Sequence, residues 1–289
     1  MVVSFGLIHI SFYQDDVLTL FAVLGLGLVV LWKLSWRLLL CFSLFFLLQP
    51  LKIMEIIGGE PNLVSVFIGK IISFKPLYIA QTTDWSEVAL KNISGQWLSR
   101  WLYWELPSGR LFATIGMFLL GVVAGKLKIF ERSQKELFKV ALIGGAIFAV
   151  SCVLYYSAVY LYLSLENQRI LMVSQYMKWI SDECSLLFIA PFLAWVYNLN
   201  CLQKLLHPLR SIGRCTLTCY ITQGIIMTWL LFPWGLGMYG YFDAATLFLI
   251  GVGLFVVQML FCTVWLKYFR YGPLEGIWRY LTRLGMQRN

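Results

Sequence analysis

The 289-residue chain contains two histidines, and one of them, His9, falls within an apolar stretch. An imidazole with an ordinary pKa near 6.5 can take a proton from a hydroxyl and return it to a leaving group, which makes His9 a candidate general base. Asp16 follows about two helical turns later, near enough to orient or charge the ring. A histidine among apolar residues also serves as a hydrogen-bond donor between helices, and residue type alone leaves both roles open. Thr216, Tyr220 and Gln223 recur at i, i+4 and i+7, so a helix there carries one polar face. Glutamine is costly in hydrocarbon unless its amide is paired, so this face either packs against another helix, with Gln258 as a candidate partner, or touches a substrate.

A second group is basic. Arg210, Arg214, Lys267 and Arg270 flank two apolar runs and would attract phosphate groups. The same charges also suit anionic lipid headgroups or simply mark a cytoplasmic face. Gly272-Pro273 must end the preceding helix, which places Glu275 in the first turn of a new one, where its charge suits the helix dipole and pairing with Arg214 or Arg270 is expected. The cysteines give no comparable signal. Cys41, Cys152, Cys184, Cys215, Cys219 and Cys262 lie in or beside apolar runs without a CxxC pair, so they read as small packing residues and no metal site is expected. No P-loop, nucleophile elbow or nucleotide fingerprint is found, and no firmly bound cofactor or nucleic-acid partner is expected.

These residues need a scaffold, and composition supplies its class. The chain is 60% hydrophobic and 13% charged, with mean hydropathy +0.76, against about 25% charge in soluble domains. Runs such as 246–266 are apolar on all sides, so they are helices and not the alternating strands of a membrane barrel. The pattern predicts an all-α, polytopic transmembrane bundle forming a single domain over 1–289. Seven complete spans fall at about 17–32, 36–51, 110–127, 138–162, 180–198, 215–234 and 244–268. A partial helix occupies residues 1–12.

Strict alternation of these spans gathers most lysines and arginines on one face and leaves the other net negative. That asymmetry predicts a cytoplasmic C-terminus. The long segment 52–109 then lies outside. Within it Trp97, Trp101 and Trp104 share one face of an interfacial helix, serving as an anchor or as a lid. Residues 165–179 form a shorter amphipathic stretch on the same side, and Gly121 with Gly125 offers a small-xxx-small packing face. The first apolar segment is about half a bilayer long, so the chain is expected to lack preceding helices and to insert poorly alone.

Gly6 to His9 with Asp15 to Leu18, Gly116 to Gly121, Gly213 to Gln223 and Phe269 to Arg279 together resemble segments of the YeiB-like bacterial membrane proteins, domain of unknown function 418. Gly6-Leu7-Ile8-His9 followed by Asp15-Asp16-Val17-Leu18 resembles that family's G-x-I-H and G-D-I-L segment. Gly116 to Gly121 resembles its G-M-x-L-x-G span, and Gly213 to Gln223 its G-R-x-x-L-T-N-Y-x-x-Q helix opening. Phe269 to Arg279 resembles its F-R-x-G-P-L-E-W-x-W-R ending. Residues 200–289 carry the most specific likeness. Cys219 stands where the family usually has Asn, Gly276 where it usually has Trp, and the family's opening helices with an L-D-x-x-R-G segment have no counterpart.

The resemblance implies a scaffold like that of membrane acyltransferases, moving an acyl group from acyl-CoA to an extracytoplasmic glycan or lipid acceptor. On that reading His9 and Asp16 are catalytic. Arg214, Thr216, Tyr220, Gln223, Arg270 and Glu275 bind substrate, and the lipid bilayer is the standing partner. A transporter or flippase of a small amphiphile, or a non-catalytic membrane subunit, is the alternative. The charge asymmetry gives the first prediction: a reporter fused after Asn289 should read cytoplasmic and one inserted near Ser94 external, and the opposite result at either point would overturn the orientation.

Overall fold

The computed structural model describes residues 6, 9–12, 17–58, 84–93, 106, 108–199 and 208–286, and among the described residues there is no strand. The helices are α1 Leu18–Leu31, α2 Trp36–Leu47, α3 Pro50–Gly58, α4 Trp85–Lys91, α5 Arg110–Lys126, α6 Gln134–Leu165, α7 Gln168–Tyr197, α8 Thr216–Leu231, α9 Ala244–Tyr268 and α10 Pro273–Met286. Trp36–Gly58, α6, α7 and α9 are long and apolar enough to cross a membrane, while α1 and α8 are shorter apolar helices. Large apolar side chains are widely exposed, among them Val29, Val30, Ile57, Tyr160 and Phe248. Such a surface suits lipid as its solvent. Trp97, Trp101, Trp104 and Asp16 lie outside the described residues.

The chain divides into two compact units, one formed by Met1–Val23, Lys75–Leu98 and Gln203–Asn289, the other by Leu24–Phe74 and Ser99–Leu202. In the second unit α2 and α5 pack around Leu39, Leu119 and Val123. They approach closely at Gly116, where a Cβ would collide with Leu47 and where Ser43 Oγ donates to the Gly116 carbonyl at 2.8 Å. Gly121 and Gly125, expected to make that contact, have open space where a Cβ would stand. The small residue that matters is one turn and a half earlier, because the helices cross there. Lys126 donates to the carbonyls of Trp32 at 2.6 Å and Leu34 at 2.5 Å, closing the C-terminal end of α1 with a positive charge.

α6 and α7 form an antiparallel hairpin longer than the sequence predicts. The expected span 138–162 is the middle of a 32-residue helix, and 180–198 covers the C-terminal part of a 30-residue one and its cap. Residues 165–179, expected as a separate amphipathic stretch, are the hairpin tip and the opening turns of α7. The turn consists of Glu166, at φ 49°, and Asn167, whose side chain accepts from Arg169 N at 2.8 Å and caps α7. Polar residues at helical spacing extend a helix into water as readily as they make a surface one, and sequence periodicity does not distinguish the two. The helices touch at Gly144, where a Cβ would overlap the Leu187 carbonyl.

The expected span 36–51 is broken. α2 stops at Leu47, Gln49 takes φ 49°, and α3 restarts at Pro50 and runs on to Gly58 into the segment expected as loop. Proline tolerates the first turn of a helix and cannot extend the one before it. The break frees backbone groups, and α7 satisfies one: Tyr176 Oη donates to the Leu48 carbonyl at 3.0 Å. Gln49 is almost wholly buried and its Nε2 donates to Glu183 Oε1 at 2.9 Å. Its amide lies against Gly109, at φ 81°, where no side chain would fit.

In the first unit, α8 and α9 are joined by a buried polar contact. Gln258 Nε2 donates to the Cys219 carbonyl at 3.0 Å and to Thr222 Oγ1 at 3.1 Å. Cys215, Cys219 and Cys262 form a buried cluster with Ile212 and Leu266 against it, and their thiols are free. Asp243 caps α9 by accepting from Thr246 N at 3.0 Å, and the Thr246 hydrogen bonds hold its carboxyl below the ordinary aspartate value.

The helix contacts predict unequal responses to the same substitution. Gly144→Ala should lower unfolding stability in detergent by about 1–3 kcal/mol, since the added methyl must push α7 aside. Gly121→Ala should stay within about 0.5 kcal/mol of the parent. Equal losses at both positions would mean that Gly144 does not set the hairpin spacing.

Candidate functional site

The C-terminal end of the first unit is built around a carboxylate. The N-cap of α8 is Cys215, which makes no side-chain cap, so the first amide groups of α8 need another acceptor. Glu275, in the first turn of α10, supplies it: Oε1 accepts from Thr218 N at 3.1 Å and Oε2 from Thr218 Oγ1 at 2.6 Å. Thr218 Oγ1 in turn accepts from Leu274 N in the first turn of α10 at 3.1 Å. Each helix thus caps the other, a capping box divided between two elements. Gly272 makes room, since a Cβ there would overlap Glu275 Oε2 and stand 2.9 Å from Cys215 Sγ. The expected pairing of Glu275 with Arg214 or Arg270 is corrected: its oxygens are occupied by Thr218.

The arginines do something else. Arg214 Nη2 donates to the Arg270 carbonyl at 2.6 Å, and Arg270 and Arg279 lie over the Tyr271 ring at 5.6 and 4.3 Å from its centroid. Beside them opens a cavity of about 740 Å³. Arg214, Thr216, Tyr220, Arg270 and Glu275, all predicted as substrate-binding, line it together with Arg279 and Trp278. Its apolar wall is Val17, Leu18, Phe21 and Leu217. Arg279 and Tyr271 escaped the sequence reading, although an arginine spaced to reach back over a tyrosine eight positions earlier on the same terminal motif is the signal that would have found them.

Tyr220 also links the cavity to His9. The two rings lie 4.9 Å apart and Tyr220 Oη accepts from Val17 N at 3.4 Å. His9 is 1% exposed and sits against Gly224, where a Cβ would overlap its Nε2. It therefore stands at the midpoint of α8 and not near an end. The Phe12 ring packs at a tilt against Trp85 and Trp234, with centroids 5.3 and 6.2 Å away, which fixes the short helical segment 9–12. Asp16 lies outside the described residues. Gln223 is exposed, apart from the cavity lining, and Gln258, expected as its partner, bonds Thr222 instead. Thr216 Oγ1 donates to the Gly213 carbonyl at 2.8 Å.

Helices alone among the described residues, several of them long and apolar enough to cross a membrane, define a polytopic helical membrane protein. The chain belongs to the DUF418 family, described as proteins of unknown function, whose profile matches residues 124–285. It is 28% identical to the uncharacterized protein YxaH of Bacillus subtilis strain 168, over 98% of this chain and 70% of that protein. It is 27% identical to an uncharacterized 39.9 kDa protein encoded in the amylase 3′ region of Bacillus acidopullulyticus, over 63% of this chain and 55% of that one. With the uncharacterized protein YeiB of Escherichia coli K12 it shares 38% identity over 27% of this chain and 20% of that protein. No solved structure matches.

The two departures from the family pattern have simple surroundings. Cys219 belongs to the buried thiol cluster, its Sγ 3.4 Å from that of Cys262, and a Cβ on Gly276 would meet open space.

The shared cap predicts a coupled response. Glu275→Gln and Thr218→Val should each reduce stability by about 1–3 kcal/mol, the scale of a charge-assisted hydrogen bond. Together they should cost less than the sum, with a coupling of about 0.5–3 kcal/mol in a double-mutant cycle followed by unfolding in detergent. Arg214→Gln should show no coupling to Glu275→Gln.

Proposed function

We propose that the protein binds acyl-CoA in the cavity beside α8 and α10 and transfers the acyl group to an acceptor hydroxyl. The observation that carries this reading is that Arg214, Arg270 and Arg279 line the same cavity as Val17, Leu18, Phe21 and Leu217. With the Glu275 oxygens committed to Thr218, the three guanidinium groups attract phosphate oxygens, which arginine holds in a bidentate fork. The apolar wall suits an acyl chain.

The chemistry follows from the residues. The acceptor oxygen forms a bond to the thioester carbonyl carbon, the carbon–sulfur bond breaks, and coenzyme A leaves as its thiol. His9 takes the acceptor proton and returns it to the sulfur. Tyr220 stands between the cavity and His9, so its ring must turn aside for this transfer. In the bacterial inner membrane that the resemblance implies, and in the orientation read from the charge pattern, coenzyme A enters from the cytoplasm and the acceptor from the other side. The acceptor is a glycan or a lipid.

The burial of His9 favours a second reading, in which the same cavity carries an anionic amphiphile without altering it. Titration of palmitoyl-CoA into the purified protein in nanodiscs, with thiol release measured in parallel, separates the readings. On the acyltransferase reading Arg279→Gln weakens binding about tenfold, equivalent to about 1.4 kcal/mol. His9→Ala keeps binding and slows thiol release by about 10²–10⁴. Binding without thiol release, with or without acceptors, supports the carrier, and absence of binding overturns both.

A further inference from the structure

A separate cavity of about 310 Å³ lies in the second unit, between α3 and the opening turns of α7. Lys52, Glu55, Gln168, Gln175, Tyr176 and Trp179 supply its polar and aromatic lining. We propose that it is a binding site for a small, neutral, hydroxyl-rich molecule of monosaccharide or cyclic-polyol size. The acyl-transfer reading does not enter the argument, which rests on different residues in a different unit.

Charge comes first. Lys52 Nζ lies 2.8 Å from Glu55 Oε2, and this ion pair is the charge the wall presents. Opposite charges already joined leave little attraction for a net anion or cation. A zwitterion would have to separate them. The wall therefore selects a neutral ligand.

Hydrogen-bonding capacity comes next. Glu55 is 5% exposed, and its Oε1 accepts no hydrogen bond from the described residues. A buried carboxylate oxygen left without a donor is costly, and a ligand hydroxyl, alone or through a water, can supply one. Lys52 retains donors beyond the one given to Glu55, and the Gln168 and Gln175 amides each offer a donor and an acceptor. Adjacent donors and acceptors match hydroxyl groups, which do both. The rings of Tyr176 and Trp179 give flat apolar surface for the carbon face of such a molecule.

Position and size agree. The cavity stands close to the Glu166–Asn167 turn, where α7 is polar and a water-soluble ligand can reach it. Its volume is at the small end of ligand pockets, which run from about 300 to 1,000 Å³. The break at Gln49 is what directs α3 here, and the Tyr176 bond to the Leu48 carbonyl and the Gln49 bond to Glu183 hold that break in place. The site is thus built on rigid elements.

The test is a thermal-shift and calorimetric titration of the full chain in detergent. The neutral probes are glucose, galactose, N-acetylglucosamine and inositol; glucose 6-phosphate and glycine are the charged comparators. At least one neutral probe should bind. Gln175→Leu and Trp179→Leu, both outside the tightly packed helix contacts, should weaken that binding at least tenfold while leaving the melting temperature without ligand within a few degrees. Glu55→Gln should weaken it comparably. No binding by any neutral probe, binding by glycine or glucose 6-phosphate alone, or unchanged affinity in Gln175→Leu and Trp179→Leu would overturn the assignment. Loss of palmitoyl-CoA binding in the arginine variants would leave this result untouched, so the two proposals fail separately.

Discussion

The N-termini of α8 and α10 meet across the side chain of Glu275, each carrying the partial positive charge of its unpaired amide groups. Brought together bare, those ends would repel and leave donors unsatisfied, so the two helices require an anion between them. The carboxylate answers both ends at once and Thr218 passes a hydrogen bond back to α10. Much follows from this contact. Gly272 must lack a side chain, Cys215 need not act as a cap, and Arg214, Arg270 and Arg279 remain directed at a cavity instead of at an acidic neighbour. A conventional salt bridge from Glu275 to Arg214 would have closed the site electrostatically.

The fold class was legible because burial in lipid demands apolar residues around every helix, and composition reports that directly. That Arg214, Thr216, Tyr220, Arg270 and Glu275 come together along one cavity was legible from helical spacing and from two motifs at the ends of neighbouring helices. Their pairings were not. Sequence offers Glu275 two arginines and no reason to prefer a threonine, whereas geometry brings the backbone of α8 within reach first. Gln223 illustrates the converse: a polar residue on the right face stays exposed because the partner helix presents Gln258 one step around, opposite Thr222.

The second unit hides its polar residues more effectively. Glu183, Gln49 and Glu55 are buried, and none stood out from periodicity. A carboxylate inside an apolar span is itself a signal, since burying one is expensive unless a donor meets it. Glu183 meets Gln49, which is reachable only because the chain abandons the helix there. A broken helix is invisible to hydropathy, which continues through Trp36–Gly58 without interruption. The Gly121 and Gly125 pair failed for a similar reason: spacing describes a helix face but not which face a neighbour occupies.

The α6–α7 hairpin is about 48 Å and 45 Å long in its two arms at 1.5 Å per residue, against a hydrocarbon layer of about 30 Å. Locked at Gly144 against the Leu187 backbone, the arms cannot slide past one another to shorten. A thinner bilayer must therefore be met by leaning the whole hairpin, and a thicker one by drawing more of its polar tip toward the headgroups. The hairpin converts bilayer thickness into inclination, and the Gln168 end of α7 changes its depth with it. Lipid chain length thereby becomes a mechanical input to a unit whose internal packing stays the same.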